Sequence, residues 1–152
     1  MPAKKLKEYL DNHHVKYVCT SHSPAFTAQE VAASAHVSGK LMAKTVIVKM
    51  GGDYAMVVLS AHDHVNFDAL KAVTGIKEID LASEAEFKNK FPECEVGAMP
   101  PFGHLYDMPV YVTSQLTNNE QIVFNAGSHS ELFQVAYRDF ERLVKPKIIP
   151  VR

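Results

Sequence analysis

The segment Gly97-Ala98-Met99-Pro100-Pro101-Phe102-Gly103 constrains this chain more than any other part of it. Two adjacent prolines pin φ and remove donors, and the bracketing glycines admit backbone shapes and close approaches that other residues forbid. A plain solvated connection has no need of such stiffness. A loop shaped to offer its own amides to a ligand does. A second loop of this kind, Asn125-Ala126-Gly127-Ser128-His129-Ser130, follows an apolar run. The pair implies a pocket walled by main chain, where fixed N–H donors could hold an oxyanion.

The chain has 152 residues, enough for one domain with a real core, and we expect residues 1–152 to form it. Hydrophobic residues make up 47% and charged residues 22%, the composition of a globular protein. No apolar run reaches the roughly 18 residues of a membrane span. The start, Met1 to Lys7, is charged and lacks the apolar stretch of a secretory signal. Cys19 and Cys94 stand far apart in no paired motif, which fits reduced thiols in a cytoplasmic protein. A formal net charge of −1 argues against a broad nucleic-acid surface, though not against local contact with one RNA end.

Hydrophobic spacing predicts a helix over 4–14 and a strand over 15–20. Thr27 to Glu30 is a capping box, stapled by Phe26 and Val31, that opens a helix to about Ala35. Residues 43–50 and 54–60 are β-rich runs separated by Gly51-Gly52-Asp53, the clearest hairpin signal in the chain. A helix is expected over 66–74 with Gly75 as its stop, then a strand over 76–81. Ser83 to Glu86 is a second capping box, opening a helix that ends near Phe91-Pro92. Strands follow over 110–114, 121–125 and 132–136, with a turn at 117–120, a closing helix over 138–144 and a basic tail over 145–152. Strands and helices mix without strict alternation. The expected fold is therefore α+β, a single domain with a curved, mixed, largely antiparallel sheet flanked by helices.

Several residues could carry chemistry. Lys44 opens the most apolar strand; it reads either as a solvated strand-end lysine or as a cation at a pocket mouth gripping a phosphate or carboxylate. His129 reads either as a loop residue capping nearby backbone or as a pocket-wall proton handler. His62-Asp63-His64 invites a metal reading, but no further ligands stand at recognisable spacing, so no metal is expected. Cys19 is expected in the core; Cys94 has nothing nearby to activate it. Motifs for phosphate loops, dinucleotide binding, serine-nucleophile elbows and zinc proteases are missing.

Lys44 entering its apolar strand, the Gly97-x-x-x-Pro101-Phe102 loop and the Gly127-Ser128-His129 turn occur in an order and spacing that resemble the YbaK and prolyl-tRNA-synthetase-associated editing-domain family. The resemblance runs from the first helix to about Pro146. It implies a barrel-like sheet and a cytoplasmic aminoacyl-tRNA deacylase, and the length implies a free-standing protein. The implied reaction is hydrolysis of the ester joining a wrong, smaller amino acid to tRNA, often proline tRNA. It needs no cofactor and no nucleophilic side chain, because the ribose hydroxyl of the tRNA helps to activate water. By the same resemblance Lys44 grips the terminal adenosine or its phosphate, Gly97 takes part in catalysis, and His129 shapes the amino-acid pocket. Amides of Pro-loop residues up to Gly103 and of Gly127 and Ser128 receive the carbonyl, with Pro100, Pro101 and Phe102 in the substrate-binding wall. Ser60 and Ala61, ending the second hairpin strand, are expected to border the pocket. Met99 and His104 read as subgroup features. The expected partners are the acceptor end of aminoacyl-tRNA and a prolyl-tRNA synthetase, with no membrane and no DNA. Lys40, Lys44 and Lys49, with Arg142, Lys145 and Lys147 outside them, would supply the RNA contacts. Two rivals stand beside this reading: a non-catalytic module that binds a tRNA end or a synthetase, and a hydrolase of some other small ester.

Overall fold

The computed structural model describes residues 2–21, 41–61, 63–87, 99–127 and 131–150. The chain opens with helix α1 (Pro2–Asn12), which buries Leu6 and Leu10. The helix closes on itself: His14 turns left-handed at φ 56°, its amide donates to the Asp11 carbonyl, and the Val15 amide donates to the Leu10 carbonyl at 3.0 Å. These are the paired bonds of a helix stop, with apolar Val15 folded back toward Leu10. Val15 is thus spent on ending α1, and strand β1 (Tyr17–Ser21) begins later than the sequence pattern suggests.

Strands β2 (Ala43–Met50) and β3 (Asp53–Ser60) form the expected hairpin, paired from Ala43↔Ser60 to Met50↔Asp53. Gly51 and Gly52 sit at φ 58° and 100°, the positive values that a two-residue loop matching strand twist requires. Helix α2 (Phe67–Thr74) has both signals read from sequence. Asn66 Oδ1 accepts from the Ala69 amide at 3.0 Å, and Gly75, at φ 73°, donates to the Lys71 carbonyl. After strand β4 (Ile79–Leu81), helix α3 (Glu84–Phe87) opens on the expected capping box. The Ser83 amide donates to Glu86 Oε1 and the Glu86 amide to Ser83 Oγ. Hydrogen bonds from the Ser83 amide and side chain to the carboxylate, with Lys49 Nζ at 3.3 Å, hold the Glu86 carboxyl down to about 2. The other capping box, at Thr27, and the continuation of α3 toward Phe91 lie outside the described residues.

The remaining elements are a 3₁₀ turn (Gly103–Tyr106), β5 (Val110–Thr113), α4 (Ser114–Thr117), β6 (Gln121–Asn125), β7 (Glu131–Ala136), α5 (Tyr137–Val144) and β8 (Lys147–Ile149). Three of these correct the sequence reading. The one-turn helix α4 occupies residues expected to end a strand and begin a turn. The 3₁₀ turn follows the proline loop unannounced. The basic tail contains β8, held by parallel pairing of Val112 with Ile148.

Two sheets result, ordered β4-β2-β3-β5-β8 and β1-β7-β6. Four ladders are antiparallel, and the β3–β5 and β5–β8 ladders are parallel, so the α+β, largely antiparallel expectation holds. A parallel bridge, Met42↔Val123, joins the sheets, with the Val123 amide donating to the Leu41 carbonyl at 2.9 Å. The sheet curves without closing into a barrel. Successive residues of β2 and β3 alternate between two cores. Ala43, Ile47, Met56 and Val58 join Phe102, Phe124, Phe133 and Phe140 in the larger one, under α1 and α5. Val48, Val57, Leu59 and Tyr111 pack with Leu70 of α2 in the other. Cys19 departs from expectation: it is exposed on β1, whose one partner among the described residues is β7. Among the described residues no helix is long and apolar enough to cross a membrane.

Candidate functional site

The site lies where β2 begins, at the end of the hairpin away from its glycine turn. Here the ladder runs one step past its last pair, as the Ala61 amide donates to the Met42 carbonyl at 2.9 Å. The Asp63 amide then donates to the Ser60 carbonyl and turns the chain. The Met42–Val123 bridge brings β6 alongside in parallel. Lys44 and Asn125 each follow the bridged pair by two residues and so lie on the same face at this end of β2 and β6, with the Gly127 turn immediately after. Gly127 is buried at φ 99°, a backbone shape that an L side chain rarely takes.

Lys44 is half-buried rather than a fully solvated strand-end lysine. Burial pushes its ammonium pKa down, and the nearby Asp63 carboxylate opposes that shift. Alternation puts Lys44 on the face of Val48, away from the larger core. Ser60 pairs with Ala43 and so shares the opposite face. Lys44, Asn125 and Gly127 thus lie toward the same end of the fold, which Ser60 and Ala61 reach through the main chain.

The proline loop is anchored from beneath. Met99, Pro100, Pro101, Phe102 and Gly103 are all buried. The Phe102 ring is fully buried, 5.5 Å from Phe124 and edge-on to Phe140 at 5.7 Å. Phe102 is thus a core anchor. The carbonyls of Phe102 and Gly103 accept from the Leu105 and Met108 amides. No hydrogen bond links the Phe102, Gly103 or His104 amides to a described residue. Gly97, Ser128 and His129 lie outside the described residues, as do Lys40, His62 and Cys94.

Helix α1 buttresses this loop. His104 Nε2 lies 2.8 Å from the Tyr9 hydroxyl, and Lys5 Nζ reaches the Leu105 carbonyl while lying 4.7 Å over the Tyr106 ring. Tyr9 and Phe102 flank the imidazole, and part of it stays open to solvent. Burial, then the nearby His13, push its pKa below the usual histidine value. With Nε2 unprotonated, His104 can accept from the Tyr9 hydroxyl; a protonated ring could not, and would face His13. The linkage follows: below the unfolded histidine value, about 6.5, the unfolded chain binds the proton better. The expected result is a melting temperature that falls as pH drops from about 6.5 through the lower folded value. In His104→Gln, whose amide oxygen can still accept from Tyr9, calorimetry across pH should show a flatter curve.

Of the basic residues expected to meet RNA, Lys49 is paired with Glu86, and Arg142 with Asp139 at 3.4 Å. Among the described residues no cluster of three metal-ligating side chains occurs. Two surface cavities of about 590 and 450 Å³ open at the opposite end of β6, where both are lined by Gln121, Ala136 and Arg138. They are remote from Lys44. Asn125 entered the sequence reading as the first residue of the second loop, with no role for its side chain. Its side chain is 6% exposed, and its Oδ1 has no hydrogen-bond partner among the described residues. An unpaired buried acceptor costs about 1–3 kcal/mol. An asparagine closing an otherwise apolar strand was the signal available.

Residues 22–143 match the family model of the aminoacyl-tRNA editing domain. The chain belongs to that family. Over 120 residues this editing domain is 32% identical to the proline–tRNA ligase of Staphylococcus saprophyticus, covering 76% of the chain and 20% of that enzyme. It thus spans about a fifth of the length of that curated relative. Its fold is shared with a candidate trans-editing enzyme for prolyl-tRNA synthetase, at TM-score 0.82 and 18% identity over 99% of this chain and 96% of that one. A hypothetical protein of known structure superposes at TM-score 0.85 and 22% identity, over 95% and 97%.

Proposed function

We propose that this editing domain deacylates mischarged aminoacyl-tRNA in trans, acting on proline tRNA that carries a smaller, wrong amino acid. The observation that carries the reading is Lys44, a half-buried cation two residues past the bridge that ties the start of β2 to β6. The kinship with a proline–tRNA ligase and the fold of a candidate trans-editing enzyme support the choice of tRNA.

In the proposed reaction water adds to the ester carbonyl, the carbon–oxygen bond to the ribose breaks, and the proton passes to the ribose oxygen. Free amino acid and tRNA result. Aminoacyl esters are already activated, so no attacking side chain is required. Main-chain donors of the proline loop and the Gly127 turn would hold the developing oxyanion, each worth on the order of 3 kcal/mol. Lys44 would fix the terminal nucleotide, and positioning lowers the barrier further. The ribose hydroxyl beside the ester would orient the water. Selection would rest on exclusion: rigid buried loop walls reject the larger cognate side chain more sharply than one methylene of binding, about 1–3 kcal/mol, can favour the smaller.

The test is release of labelled amino acid from a panel of mischarged tRNAs. Proline tRNA bearing a small wrong residue should be cleared, and correctly charged proline tRNA spared. Binding without release would point to a tRNA-end module instead. Cleavage of small esters with no tRNA preference would point to a different hydrolase.

A further inference from the structure

Asn125 is built as a receptor for something the folded chain does not supply. Ile122 and Phe124 point into the larger core, so alternation turns Asn125 to the other face of β6. That face continues Val123, whose parallel bridge to Met42 leaves Asn125 and Lys44 each two residues further on and on the same face. The side chain is shut off from bulk water, yet its Oδ1 meets no donor among the described residues. Buried acceptors in native proteins are nearly always paired, and one left open calls for a reason. Two further buried hydroxyls are unpaired, but they lie elsewhere: Tyr137 lines a cavity at the far end of β6, and Thr113 belongs to β5. Asn125 alone of the three combines an open acceptor, a half-buried lysine at the same end of the neighbouring strand and a positive-φ glycine two residues away.

We infer that Asn125 is a substrate-contacting residue whose amide oxygen accepts a hydrogen bond from the terminal ribose hydroxyl beside the scissile ester. The inference rests on the deacylase reading above. The donor is assigned as neutral because Lys44 already brings an ammonium to this end of the two strands. The α-ammonium of the aminoacyl group would meet a like charge there, whereas a hydroxyl meets none. A hydroxyl that donates to Asn125 is held in one rotamer and keeps its lone pairs turned toward the attacking water.

Asn125→Leu, close in shape and without the acceptor, tests this. A purely structural asparagine would lose stability on this change. A receptor residue should keep or raise its melting temperature while single-turnover deacylation falls roughly tenfold or more. Asn125→Ala gives a second variant should leucine not fit. The decisive substrate is a mischarged tRNA ending in 2′-deoxyadenosine. Wild type should slow on it, and the gap between wild type and Asn125→Leu should close, since the partner hydroxyl is gone. Wild-type rates in both variants would overturn the assignment. So would a loss that tracks the melting temperature, or a gap that persists on the deoxy substrate. A wild-type protein that clears no mischarged tRNA overturns the deacylase reading and this assignment with it; an active wild type with an equally active Asn125→Leu overturns this assignment alone.

Discussion

Gly103→Ala is expected to destabilise the fold by about 3 kcal/mol, the upper end of what overpacking costs. A β-carbon at this position would stand 2.5 Å from Val110 Cγ2, 2.7 Å from the Met108 carbonyl oxygen and 3.3 Å from Met56 Sδ. A methionine sulfur can give way. A carbonyl oxygen cannot, because the Met108 amide is bonded to the Gly103 carbonyl at 2.9 Å and Val110 is in register with Met56 across β3 and β5. The substitution must therefore push the proline loop off the sheet or shift the start of β5. For a domain of this size, about 3 kcal/mol lowers the melting temperature by roughly 6–12 °C. Denaturant titration with an unchanged m-value would show that stability, and not the extent of unfolding, has moved. A variant melting within about 2 °C of wild type would contradict the packing described for this loop.

Gly103 also shows what could and could not be read from the chain. Its bracketing of two prolines marked a stiff loop, and residues 99–103 of that loop are buried. The reason for the glycine is different: it leaves room for β5 and for a 3₁₀ turn that has no periodicity of its own. Local signals were legible wherever the cause was local. The Gly51-Gly52 turn, the Asn66 and Gly75 caps and the Ser83–Glu86 box all rest on bonds within a few residues, and all are present. Elements that exist through distant pairing were not. Strand β8 is three residues between prolines, and only its parallel partner makes it a strand. Cys19 sits in a strand as expected, but which face of an edge strand is covered depends on what packs against it.

The site divides the same way. Lys44 and the Gly127 turn stood out as residue types in context, and the β2–β6 register brings them to one end of the fold. Phe102 belonged to the same motif but serves the core. Ser60 pairs with Ala43 and so shares the face opposite Lys44, a step of alternation that motif spacing does not display. Asp63, read within a metal pattern, instead faces Lys44 electrostatically. Asn125 carries no motif; only the missing partner in three dimensions reveals it.

Lys44→Met is expected to cut single-turnover deacylation by about a hundredfold or more while leaving the fold intact. The size follows from the role proposed: losing one preorganised charge or donor at a water-poor site costs about 10²–10³ in rate. The stability forecast has the opposite sign. Lys44 is half-buried on the face it shares with Val48 and Leu59, and burial disfavours its charged form. Asp63 offsets part of that cost, and a pair this open to solvent contributes little to stability. An unbranched apolar side chain of similar length removes the desolvation cost and keeps the packing of the aliphatic stem. The melting temperature should therefore stay level or rise. A structural lysine would behave the other way, losing stability with activity in proportion. Lys44→Arg separates charge from shape: it keeps a cation but replaces a compact ammonium by a broad planar fork. If Lys44 works as a point charge in a tight space, arginine should recover only a small part of the rate. Full activity in Lys44→Met, measured on a mischarged tRNA that wild type clears, would remove the one side-chain cation from the proposed mechanism and leave the main-chain donors to account for it alone.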